Sequence, residues 1–171
     1  MENAYLAVRH ETAATQLPVR APGHLPRLNL HDSAVRAMTD YRRDPPLTIT
    51  TEGSVEQALD AMFRAGARTC LVVRDRAVIG VLSAEAAHRA CALPLRTPRA
   101  ADVMTSTAEV PAMDWQTLQE CRVRDLLEIF DGAGVDHLVV LETEAVNVSS
   151  VRGMIHRARL ERQLRVGGSA L

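Results

Sequence analysis

From Ser33 onward the chain passes twice through the same change of hydrophobic period. Val55, Ala58, Leu59, Met62 and Phe63 recur at helical spacing, stop at Ala65-Gly66, and give way to the continuous apolar run Thr69 to Val73. Val123 to Leu141 repeats Val55 to Val73 without a gap, at an offset of 68 residues (55 to 123), with Val, Leu, Ala, Gly and Val identical at five positions. An amphipathic helix followed by a buried strand is therefore predicted in both copies.

The flanking elements follow from local chemistry. Leu47-Thr48-Ile49-Thr50 reads as a strand by its β-branched residues, and Ser54 with Gln57 forms a capping box for the helix after it. Arg74-Asp75-Arg76 is a polar turn. Ala77 to Leu82 is the next strand, with Gly80 where backbone or ligand approaches closely, and Ser83 with Glu85 opens a helix running to Cys91. The unit is strand, helix, strand, strand, helix. Ala101 to Thr105 then repeats Val35 to Thr39, and the second copy follows in the same order. Its strands are placed around Trp115 to Leu118, at Asp136 to Leu141 and at Val151 to Ile155, with a helix from Val123 to Phe130 and an arginine-rich helix at the end. Gly80 and Gly153 are 73 residues apart, so the second copy holds 5 additional residues, assigned to a solvent-exposed loop from Glu142 to Ser150. Pro18, Pro22, Gly23 and Pro26 break periodicity before Ser33. The resulting division is an N-terminal arm at 1–32, copies at 33–92 and 100–165 joined by a linker at 93–99, and a tail at 166–171.

Composition narrows the chemistry. With 171 residues, 47% of them hydrophobic, the chain can bury a proper core, and a net charge of −1 gives no electrostatic case for nucleic acid. All 20 basic residues are arginine, which removes the Walker phosphate lysine, the Schiff-base lysine and any lysine general base. Cys70, Cys91 and Cys121 are odd in number and lie in apolar or helical contexts, as expected of reduced core thiols. No apolar stretch approaches the ~20 residues that span a bilayer, and a cytoplasmic location is expected. There is no glycine-rich phosphate loop, metal-spaced His/Cys cluster or nucleophile elbow, so an enzyme is not expected.

The Asp102-Val103-Met104-Thr105 lead-in, the Val-x-x-x-Leu helix, the Ala-Gly that closes it, and the Gly-apolar-apolar-Ser/His that opens the last helix occur twice in one order. In this the chain resembles paired cystathionine-β-synthase (CBS) domains, the tandem arrangement called a Bateman module, over about Ser33 to Arg165. The resemblance implies an α+β fold. Two β-α-β-β-α domains would pack sheet to sheet as one pseudo-two-fold unit that commonly forms a homodimer. Such modules usually bind AMP, ADP, ATP or S-adenosylmethionine, require no cofactor or metal, and report ligand binding to a partner.

The family's ligand motif is glycine, two apolar residues, Ser or Thr, two variable residues and Asp, the carboxylate taking the ribose hydroxyls and the hydroxyl meeting the phosphate side. The first copy has Gly80 and Ser83, but Ala86 stands at the aspartate position. Glu85 is one residue early, which on a helix turns it by about 100°. The second copy has Gly153, with His156 at the hydroxyl position and Arg159 at the aspartate position. Arg157 and Arg159, beside a helix N-terminus, suit a phosphate or carboxylate. With Thr48 on the first strand, these residues are the ligand-binding candidates. Structural roles compete at each position. Ser83 is also a helix N-cap, His156 an interface residue, and the arginines of the last helix a solvated face over Leu160 and Leu164. His137 beside Asp136 is given little weight, because neighbouring strand residues point to opposite faces.

Two functions remain open. One is a stand-alone regulatory module sensing a small anionic ligand, foremost an adenine nucleotide, and signalling through a homodimer to a separate, unidentified effector protein. The alternative is a ligand-free CBS-pair interaction protein whose nucleotide sites have degenerated. Neither involves nucleic acid or a membrane.

Overall fold

The computed structural model describes residues 26–92, 97–145 and 148–165. The first 25 residues of the arm, the linker positions 93–96 and the tail lie outside that range. The described chain forms two four-stranded sheets, each covered by helices on its outer face.

The first sheet holds β2 (Thr48–Thr50), β3 (Thr69–Arg74), β4 (Ala77–Ser83) and β5 (Thr105–Ser106) in that order. Helix α1 (Val55–Ala65) begins with the expected capping box, Gln57 N donating to Ser54 Oγ at 3.1 Å, and ends at Gly66 in the left-handed region at φ 62°. With α2 (Ala84–Cys91) and α3 (Ala100–Val103) it covers one face through Val55, Ala58, Met62, Val72 and Leu82. Phe63 departs from the predicted apolar face. It is 88% exposed, because the buried stripe of α1 follows Val55, Ala58 and Met62 and leaves position 63 on the outer side. The turn between β3 and β4 places Asp75 and Arg76 at φ 51° and 65°, the backbone hand a tight hairpin requires.

The second sheet has the order β1 (Thr39–Asp40), β8 (Val148–His156), β7 (His137–Ala145), β6 (Ala112–Asp114). Helices α4 (Trp115–Glu120), α5 (Val123–Ala133) and α6 (Arg157–Arg165), with a 3₁₀ turn at Ala34–Ala37, enclose Leu118, Leu126, Phe130, Ile155 and Leu160. Two expectations are corrected here. The first strand of this copy is Ala112–Asp114, and Trp115 to Glu120 is helical because Asp114 caps it, Gln116 N donating to its carboxylate at 2.8 Å. The additional residues of the second copy are not a free loop. They lengthen β7 and β8 into a longer hairpin, pairing Glu142 with Ser150 and Thr143 with Ser149 beyond a bulge at Val140/Leu141.

The strand order also shows an exchange. β1, from the lead-in of the first copy, pairs with β8 of the second, and β5, from the lead-in of the second copy, pairs with β4 of the first. Bridges Ser33↔Arg122 and Ser54↔Arg99 repeat the same crossing. Residues 26–32 follow the second copy too. Leu28 is buried in its core, its N–H donates to Gln163 O at 3.3 Å, and Gln163 Nε2 donates to Pro26 O at 3.2 Å. Between the sheets lies a third apolar cluster of Leu71, Val81, Val110, Val139 and Met154. Burying each such side chain contributes roughly 1.5–3 kcal/mol, so the two copies are held together by a core of their own.

Candidate functional site

Along β7 and β8 the side chains that face the other sheet are Val139 and Met154, and the next pair on that face is His137 opposite His156. The apolar layer thus ends in a polar one. Thr69 of β3 meets it from the first sheet, its Oγ1 3.2 Å from Met154 Sδ and 3.3 Å from His156 Nε2. The two imidazole centroids are 6.3 Å apart, and His137 Nε2 is buried without a hydrogen-bond partner. Burial, then the neighbouring His137, Arg159 and Arg68, push His156 down to about 4. Burial also lowers His137, against the pull of Asp136. Both imidazoles are neutral near pH 7.

Outside this layer opens a cleft of 440 Å³, a size that suits a small organic ligand. One wall is α6 with His156, Arg159 and Arg162, and the other is the segment before β3, from Ala65 to Thr69. The β1–β2 connection, including Tyr41 and Asp44 to Leu47, forms the floor. Arg159 reaches across to donate from Nη1 to Thr39 Oγ1 at 2.5 Å, while its Nε is buried and unpartnered. Burial lowers the Arg159 pKa, opposed by the charge of Asp44. Arg162 donates to Ala158 O of its own helix at 3.3 Å. Neither these two arginines nor Arg68 is ion-paired among the described residues, in contrast to Arg36, Arg89, Arg152 and Arg157. The cleft therefore presents three guanidiniums against one carboxylate, and its chemistry favours an anion.

The predicted site residues are distributed rather than gathered. His156 and Arg159 line this cleft. Arg157, the residue between His156 and Ala158, is held by Asp131 at 2.6 Å and Glu161 at 3.0 Å. Thr48 lines a neighbouring 380 Å³ cavity with Leu71 and Arg152, which shares Tyr41 and Pro46 with the cleft. Ser83 caps α2, accepting from Ala86 N at 3.1 Å, and Glu85 pairs with Arg89 at 3.2 Å on the surface. Gly80 and Gly153 lie under the exchanged lead-ins, where an added Cβ would press on Met104 and Thr105 or on Met38 and Thr39. Three charged residues of the cleft were not among the predicted site residues: Arg68, Asp44 and Arg162, the last expected on the solvated face of the terminal helix, where it is indeed exposed. Arg68 stands two residues beyond the Gly66 that ends α1, and Asp44 before the Pro45-Pro46 pair, and both spacings were visible in the sequence.

Residues 36–92 match the family model of the CBS domain. The chain carries a CBS domain. Solved structures extend the likeness to a CBS pair. The CBS domain pair of protein MJ0100, in complex with 5′-methylthioadenosine and S-adenosyl-L-methionine, aligns with a TM-score of 0.57 at 12% identity over 83% of this chain and 100% of that one. CBSX2 in complex with AMP aligns at 0.54 and 15% identity over 77% and 94%. An uncharacterized conserved protein from Pyrococcus horikoshii aligns at 0.59 and 16% over 84% and 98%. A search among curated proteins gives no significant match. At these identities the likeness establishes the fold alone, that of a pair of α+β units packed through their sheets. Among the described residues no helix is long and apolar enough to cross a membrane, and no group of three or more His, Cys, Asp or Glu is arranged to hold a metal.

Proposed function

We propose that this CBS pair is a non-catalytic regulatory module that senses a small phosphate-bearing anion in the cleft between its copies. An adenine nucleotide is the foremost ligand, and the bound state passes through a homodimer to a separate cytoplasmic partner protein. The observation that carries the proposal is the convergence of Arg68, Arg159 and Arg162 on one 440 Å³ cleft without ion-pair partners among the described residues. Three like charges lining one concave site are stabilised by an incoming anion, and of the three Arg159 is half-buried while Arg68 and Arg162 are exposed. The AMP and S-adenosyl-L-methionine complexes of two structural neighbours support the nucleotide class. Self-association through α1, where Phe63 is exposed, is part of this proposal and is open to test by substitution.

The ligand-free reading has its own support in the first copy. Ser83 is occupied as a helix cap, Ala86 offers no carboxylate, and Glu85 is paired on the surface. We therefore assign one working cleft and not two. Thermal unfolding of the full chain with AMP, ADP, ATP and S-adenosylmethionine tests the assignment. At a concentration about 100 times its dissociation constant a ligand adds about 2.7 kcal/mol, or roughly 5–10 °C for a chain of this size. The shift should vanish in Arg159→Leu. No shift with any of them at millimolar concentration removes the sensor function and leaves the interaction protein.

A further inference from the structure

Building on the anion-binding reading of the cleft, we infer that Asp44 is its specificity residue. Asp44 accepts the hydroxyl groups of a sugar while the arginines hold the phosphate, so the ligand is a phosphorylated sugar or nucleoside and not a bare polyanion. The juxtaposition behind this is a carboxylate and a guanidinium that share a cavity without closing on each other. Asp44 lines the cleft together with Arg159 and its charge acts on Arg159, yet the two form no ion pair. The Asp44 carboxylate accepts no hydrogen bond from any described residue.

The guanidinium is held by its side chain and the carboxylate is positioned by its backbone. Arg159 is fixed by its bond to Thr39 Oγ1. The backbone at Asp44 is held by its N–H, which donates to Asp40 O at 2.9 Å, and by Pro45 and Pro46, which restrict the chain on its C-terminal side. Opposite charges lining one space select a ligand that is itself polar at both ends. Hydroxyl hydrogens toward Asp44 and phosphate oxygens toward Arg159, Arg68 and Arg162 satisfy every partner. A polyphosphate with no hydroxyl satisfies the arginines but is repelled by Asp44. Pro46, Leu47 and Ala65 supply apolar surface between the two ends. The carboxylate thus comes from the β1–β2 connection and not from position 159, where the sequence motif calls for it.

Isothermal titration of the full chain and of Asp44→Asn with ATP, ribose 5-phosphate and sodium tripolyphosphate tests this. A hydrogen bond to a charged group is worth about 1.5–3 kcal/mol, so Asp44→Asn should weaken ATP binding by about tenfold or more while strengthening tripolyphosphate. Parallel weakening of ribose 5-phosphate assigns the contact to the sugar as such. Weakening of ATP alone, with ribose 5-phosphate unbound by either protein, assigns it to a nucleoside. Equal strengthening of all three ligands overturns the inference, because Asp44 then acts only through its charge, and leaves the anion cleft intact. If the parent chain binds none of the three, the anion reading falls and this inference with it. Asp44 is exposed, and an unchanged melting temperature of the variant will show that the fold is not at issue.

Discussion

Replacing Gly80 by Ala distinguishes a packing role from a ligand-binding role at a position where the sequence allowed both. A Cβ at Gly80 would lie 2.6 Å from Met104 Sδ, 2.7 Å from Thr105 O and 3.1 Å from Met104 Cγ, against the 3.5–4.0 Å of ordinary contact. The methionine can rotate away. The carbonyl cannot, because Gly80 and Val81 pair with Ser106 and Thr105 in the β4–β5 ladder, and moving it strips the edge strand from the first sheet. Overpacking of this kind costs about 1–3 kcal/mol, which for a chain of this size lowers the melting temperature by roughly 2–12 °C. Urea and thermal unfolding followed by circular dichroism would measure it. Combining Gly80→Ala with Met104→Ala should recover only the part due to sulfur. An unchanged melting temperature for Gly80→Ala, accompanied by lost nucleotide affinity, would refute the packing account and return Gly80 to the ligand site.

Acid should destabilise the fold through His156. Its folded value of about 4 lies below the ordinary 6.5, so between those pH values the unfolded chain holds a proton the native state does not. Stability is full above pH 6.5 and falls toward pH 4, by up to about 3 kcal/mol at 1.36 kcal/mol per unit. His156→Gln should flatten most of that slope in melts between pH 4 and 7, and an identical slope would count against it. Phe63→Ser should leave the melting temperature of the monomer unchanged, since the ring is 88% exposed, yet weaken self-association in sedimentation equilibrium. Undiminished association would take α1 out of the dimer face.

The repeat made the architecture legible because core positions carry their own period. Val55, Met62, Val123 and Phe130 are buried where the helical spacing puts them. Short elements were harder. Ala112–Asp114 has three residues and no period to read, and its neighbour Trp115, large and apolar, attracted the strand assignment that Asp114 overrules by capping a helix. Phe63 failed for a different reason: spacing places a residue on a helix side, but whether anything packs there depends on what the rest of the fold brings to that side. The site was less legible still. His156 and Arg159 were visible as departures from a motif, whereas Asp44 and Arg68 come from a connection and a strand entry that only the tertiary fold sets opposite α6.

The exchange of lead-in strands bears on how such a chain can be divided. A fragment ending in the linker would carry β1 without β8 and β4 without β5, so each half would expose one edge strand to solvent and hold a second strand with nothing to pair. Two halves made separately should remain unstructured or aggregate alone and become soluble when mixed. The duplicated sequence is thus two copies in its text but a single folding unit, and its smallest self-sufficient piece is the whole pair.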